Sequence, residues 1–139
     1  MILPYRRLKD KSLIGHVDRP MLEVIIWHGV RSVTTLGLLD SGADGILINK
    51  SIAKVFDVDV KKLPMLLTQG INGVPMKTWV YNLEIEVENL PNSKKSMEIR
   101  FIDSPSVGVL LGRNGFFDNY MIKFENYCLQ FEIDFPKYS

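Results

Sequence analysis

The residues best suited to chemistry are Asp40-Ser41-Gly42-Ala43-Asp44. They follow Leu36-Gly37-Leu38-Leu39, an apolar run that should be buried. A carboxylate placed there is delivered from the core to the mouth of a loop. Ser41 and Gly42 can turn the chain just behind it. Such an acid can take a proton from water, but carboxylate-driven hydrolysis commonly uses two acids with divided roles. The chain of 139 residues contains Asp-Ser-Gly once. Asp103-Ser104-Pro105 is the nearest other candidate, and proline in place of glycine spoils the tight loop. Taken alone, Asp-Ser-Gly is equally at home in an ordinary turn; the buried approach favours function.

Two further stretches carry signals. In Gln69-Gly70-Ile71-Asn72-Gly73, glycines flank an apolar residue between two strand-like runs. This suits either a plain hairpin turn or a flap whose exposed Ile71 gains burial over a ligand. Leu110-Leu111-Gly112-Arg113-Asn114 closes an apolar run with a glycine that permits close backbone approach. Arg113 there can bind a carboxylate in bidentate fashion or simply be solvated.

Other chemistries find less support. Cys128 is the single cysteine, which excludes an internal disulfide and any multi-cysteine zinc site. A cysteine hydrolase would need His16 or His28 beside it, but a small buried hydrophobe in a strand is the commoner fate of such a residue. Two histidines and one cysteine show no metal-ligand spacing, so no metal and no cofactor is expected. A net charge of +1 implies no broad attraction to nucleic acid or membrane. The Lys61-Lys62 and Lys94-Lys95 pairs read as solvated loop charges. No apolar run is long enough to span a bilayer, no signal-peptide core follows the basic N-terminus, and we expect a cytoplasmic protein.

The elements that must position these residues are mostly strands. Met21–Trp27 and Val30–Leu39 are β-branched and apolar around a His28-Gly29 turn. Ser51 can cap a short helix reaching Phe56, and Asp57–Lys62 reads as a turn or a short strand. Leu83–Glu88 alternates strictly, and Met97–Ile102 returns as its partner after a Leu90–Ser93 loop. Val107–Leu111 suits a buried central strand. Tyr120–Glu125 and Cys128–Phe135 form a closing hairpin. Residues 1–19 are polar and mixed, a lead-in and possible dimer interface before a single domain over 20–139. Short strands with one brief helix point to a closed or partly closed all-β fold.

In this order the three motifs resemble the retropepsin-like, or retroviral-type, aspartic proteases. The Asp40–Asp44 stretch is similar to the family's Asp-[Thr/Ser]-Gly-Ala-Asp loop, Gly70–Gly73 to its flap tip, and Leu110–Asn114 to its hydrophobic-hydrophobic-Gly-Arg-Asn segment. The resemblance covers about residues 20–135. The longer stretch before Asp40 and the terminal hairpin depart from compact viral members and suit a cellular one. It implies a closed acid-protease barrel, one lobe per chain, and a C2 homodimer in which Asp40 of each chain meets on the axis. It further implies catalysis by Asp40 and locking of the two loops by Ser41 and Gly42. Ala43 and Asp44 complete the loop, and Gly70, Ile71, Asn72 and Gly73 act as a flap. Gly112, Arg113 and Asn114 give support from behind, with Arg113 paired to Asp44. Leu38, Ala43, Ile46, Ile71, Val109 and Leu111 become candidates for apolar substrate pockets. The partner is a peptide or protein substrate. The competing reading is a non-catalytic dimeric module of the same fold that binds peptides or builds an assembly.

Overall fold

The computed structural model describes residues 1–11, 14–69 and 73–137. Twelve strands occupy most of it: β1 Ile2–Pro4, β2 Arg6–Lys9, β3 His16–Arg19, β4 Met21–His28, β5 Arg31–Leu39, β6 Leu47–Asn49, β7 Met65–Gln69, β8 Pro75–Val87, β9 Lys95–Ile102, β10 Val109–Leu111, β11 Met121–Glu125 and β12 Gln130–Asp134. One helix, α1, spans Lys50–Val55.

Six strands close a ring in the order β4-β5-β10-β6-β9-β8, completed by pairing of β8 with β4. This is the closed all-β architecture expected from the strand pattern. The alternation in Leu83–Val87 works as read: Leu83, Ile85 and Val87 are buried, while Glu84 and Glu86 are half-buried on the other face. Inside the ring pack Leu22, Val24, Ile26, Leu39, Ile48, Ile99, Phe101 and Leu111. Leucine, isoleucine and phenylalanine side chains of this size each contribute about 1.5–3 kcal/mol on burial.

Two long strands and two short ones build the part that carries Asp40. β5 runs parallel to β10, β9 runs parallel to β6, and β6 and β10 lie antiparallel between them. An approximate two-fold therefore relates β5–loop–β6 to β9–loop–β10. The first loop begins at Asp40 and the second at Asp103. The sequence shows no repeat at this level.

Several local expectations are corrected. Asn49, not Ser51, caps α1: its Oδ1 accepts from the Ser51 backbone N at 3.0 Å. Residues 60–62 form a 3₁₀ turn rather than a strand, with the Asp59 side chain accepting from Lys61 N. Cys128 is exposed in a 3₁₀ turn between β11 and β12, because the hairpin turns through Asn126–Cys128 and a left-handed Leu129. The polar lead-in is also structured. β1 pairs with β12, the Met1 amino group donates to Ile133 O at 3.0 Å, and β2 pairs with β3. Pro4 is tolerated because β1 is an edge strand.

Candidate active site

Asp40 is the first residue past β5, and its backbone N still donates to Leu111 O at 3.0 Å. The strand ladder thus carries through to the acid and fixes its position against β10. Asp40 is half-buried. Its Oδ1 accepts from Gly42 N at 2.9 Å, and Ala43 N donates to Asp40 O at 3.2 Å. The carboxylate therefore closes a turn on its own loop, as Asp does readily. Ser41 and Gly42 are exposed at the tip. A side chain at Gly42 would begin 3.2 Å from Asp40 Oδ1 and crowd the acid.

Beneath this loop runs the Leu110–Asn114 segment. Arg113 N donates to Ala43 O at 3.0 Å, and Asn114 N donates to Asp44 O at 2.8 Å. Arg113 Nη2 also donates to Asp44 Oδ1, forming an exposed ion pair. The backbone bonds hold more firmly than the ion pair, since exposed pairs contribute about 1 kcal/mol or less. Gly112 makes the contact possible. A Cβ there would lie 2.6 Å from Ala43 O, a contact with fixed backbone rather than a movable side chain. The structure thus brings Asp40, Ser41, Gly42, Ala43, Asp44, Gly112, Arg113 and Asn114 into one cluster.

The expected flap is only partly within view. Gly70, Ile71 and Asn72 lie outside the described residues. Gly73 has φ +72, which favours glycine. The arms are β7 and the start of β8, paired from Met65 with Trp79 to Gln69 with Pro75. Met65, Leu66, Leu67 and Val74 are exposed along them.

The other acid and the cysteine lie elsewhere. Asp103 forms an exposed ion pair with Lys50 Nζ at 3.0 Å. Its loop is held by Asn49 Nδ2, which donates to Ser104 O and Val107 O, both at 2.8 Å. His28 bonds Tyr81 at 2.8 Å through Nε2 and packs on Phe56. The Cys128 thiol donates to Glu125 O at 3.6 Å. Among the described residues the thiol and the His28 ring thus have separate partners.

The expected pocket residues divide by strand parity. Ile46, Val109 and Leu111 are buried and pack in the core. Pairing places Leu38, Leu110 and Leu47 side by side in one row on the opposite face. All three are half-exposed. Asp40 follows Leu38 by two residues and falls on that same face by alternation. Leu47 and Leu110 were missed because the register between β5, β10 and β6 is not written in any one strand.

No protein-family model matches this sequence, and no curated protein matches it. Solved structures do. One is the crystal structure of a retropepsin-like aspartic protease from Rickettsia conorii, with a TM-score of 0.64 and 16% sequence identity. The alignment covers 96% of this chain and 98% of that one. This is a retropepsin-like fold. At that coverage the retropepsin-like likeness extends over nearly the whole length of both chains. No helix among the described residues is long and apolar enough to cross a membrane.

Proposed function

We propose that the chain is an aspartic endopeptidase that acts as a symmetric homodimer. The observation that carries this reading is the placement of Asp40. It is a half-buried acid at the end of a core strand, braced from below by the Gly112–Asn114 backbone, in a retropepsin-like fold. Each chain supplies one such acid, so the second comes from a second copy on a two-fold axis.

Two carboxylates in contact cannot both ionise cheaply. One proton is shared, raising one acid and lowering the other, as in the known aspartic-protease dyads. The ionised Asp40 takes a proton from a water lying between the pair. That water attacks the scissile carbonyl carbon. The protonated Asp40 of the other copy donates to the carbonyl oxygen, and a tetrahedral gem-diol forms. Proton transfer to the amine nitrogen then breaks the C–N bond, with no acyl-enzyme. Gly42 keeps the loop tip open to an extended substrate, which adds as a strand beneath the β7–β8 hairpin. Ser41 ties the two loops across the axis. Leu38, Leu110 and Leu47 form the apolar floor and favour apolar side chains near the cut.

The test combines solution mass with peptide-library digestion by wild type and Asp40→Asn. A dimer that cleaves, and a mutant that folds but does not, are expected. A chain that stays monomeric at every concentration, with activity kept in Asp40→Asn, would overturn the reading. A dimer that cuts nothing from acid to neutral pH would instead support a peptide-binding or scaffold module.

A further inference from the structure

The row of side chains beside Asp40 does not end with leucines. Leu47 of β6 is paired with Arg100 of β9, and Arg100 with Val80 of β8. Paired residues in a sheet share a face. Leu38, Leu110, Leu47 and Arg100 therefore stand in line on the side of the sheet that carries Asp40. Val80 continues the row on the far side, so Arg100 is a cation set between apolar side chains, which is unusual for a surface that only needs to be wet.

Arg100 is half-buried, and its guanidinium forms no ion pair among the described residues. Glu98, two residues back on the same face, is exposed and unpaired with it. The only protein acceptor for the guanidinium among the described residues is Thr68 Oγ1, at a long 3.3 Å from Nη1. Thr68 is itself held by the fully buried Thr78, whose hydroxyl lies 3.0 Å away and also donates to Leu66 O. Arg100 is thus aimed by the turn-side end of the β7–β8 hairpin, with most of its planar N–H fork unused among the described residues. A partly desolvated guanidinium with free donors is a carboxylate receptor.

We infer that Arg100 is a specificity-determining residue that recognises an acidic side chain of the substrate. This rests on the protease reading above and names part of its substrate class. Three strand spacings of about 4.8 Å separate Leu38 from Arg100, roughly 14 Å in all. The guanidinium reaches back over part of that distance. An extended peptide advances about 3.3 Å per residue, so the acid lies about two to four residues from the scissile bond. The preferred substrate carries apolar side chains near the cut and Asp or Glu further out on one side.

The experiment is a library digestion of wild type, Arg100→Lys, Arg100→Gln and Arg100→Glu, each confirmed as folded by its melting curve. Wild type is expected to enrich Asp or Glu about tenfold at one outer position, the range of a charge-assisted hydrogen bond. Arg100→Lys keeps part of the preference and Arg100→Gln loses it. Arg100→Glu exchanges it for Lys or Arg. That exchange would not follow if Arg100 merely propped up Thr68. Cleavage by wild type with no acidic enrichment, or with enrichment untouched in Arg100→Glu, would sink the subsite and leave the protease standing. A wild type that cuts nothing would sink both.

Discussion

Two loops in this chain start alike and end differently. Asp40-Ser41 leaves β5 after Leu38-Leu39, and Asp103-Ser104 leaves β9 after Phe101-Ile102. An approximate two-fold relates their strands. The third residue separates them. Gly42 has an N–H, which donates to Asp40 Oδ1 and curls the acid over its own loop. Pro105 has none to give. Asp103 turns outward to Lys50, and its loop is fastened by the Asn49 side chain instead. The first loop is held by backbone hydrogen bonds to the Gly112–Asn114 segment; the second is held by the Asn49 side chain together with its backbone N, which donates to Gly108 O at 2.8 Å. Asp103 is the more exposed acid, whereas Asp40 is half-buried beside an apolar row.

The largest difference should appear in activity. Asp40→Asn keeps the acceptor for Gly42 N but removes the base, so cleavage should fall by about 10²–10⁴-fold. Asp103→Asn should leave the cleavage rate within about twofold of wild type, since its loop has no part in proton transfer. Initial rates on one good peptide decide the matter. Equal losses in the two variants would mean that the loops do not differ in the way described.

Glycines flanking β10 extend the contrast to stability. Gly112→Ala drives a Cβ into the Ala43 carbonyl and should cost about 3 kcal/mol or more. Gly108 precedes the same strand, and a Cβ there meets nothing within 4 Å. Gly108→Ala should be neutral or stabilise by about 0.5 kcal/mol through the unfolded chain. Urea midpoints of the pair measure this. A tolerant Gly112 would show that the first loop can shift, and that its backbone bonds are not what fixes Asp40.

Asn49→Ala addresses the second loop in the same way. It removes the cap of α1 and the two bonds to Ser104 O and Val107 O, so about 2 kcal/mol should be lost. Hydrogen exchange should rise around residues 103–108 before it rises around Asp40. Simultaneous loosening of both loops would merge them into one unit.

The packing under the first loop offers a smaller, pH-dependent test. Past Asn114 the chain buries Phe116 and Tyr120, whose rings lie 5.1 Å apart. Burial pushes the Tyr120 phenol up to about 12, and its O–H donates to Ser93 O. A raised phenol pKa means that the native state keeps the proton longer than the unfolded chain does. Stability from this group is therefore full below pH 10 and is lost as pH climbs to about 12. Tyr120→Phe should show a shallower alkaline loss than wild type across that window. Parallel curves for the two proteins would contradict it.

Much of this was legible in the sequence because it is local. Alternation in Leu83–Glu88, the apolar approach to Asp40 and the turn residues of the loop each follow from neighbours along the chain. What was not legible depends on register between strands. Ile46, Val109 and Leu111 look like pocket residues by type, yet parity sends them to the core and brings Leu47 and Leu110 to the open face. Arg100 gave no signal in sequence, because its meaning comes from lying next to Leu47. The strands in residues 1–19 were hidden by their polarity: β2 and β3 pair outside the barrel, so they need no apolar face. Asn49 could have been found, since Asn just before a helical stretch is a favoured cap.

Each loop also carries one exposed ion pair, Arg113–Asp44 on the first and Lys50–Asp103 on the second. In one chain alone the two should matter little and about equally, roughly 0–1 kcal/mol each. A second copy meeting the first at Asp40 would change only one of them. It would take water away from the Asp44 side, where removal of one charge strands the other and becomes costly. Lys50→Ala should therefore shift the urea midpoint slightly and by the same amount at every protein concentration. Arg113→Ala should do the same when dilute but lose more as concentration rises, because the wild type gains stability from association and the variant gains less. Identical small shifts for both variants at all concentrations would place the Arg113–Asp44 pair outside any interface. The two loops would then differ in their hydrogen bonds but not in what they meet.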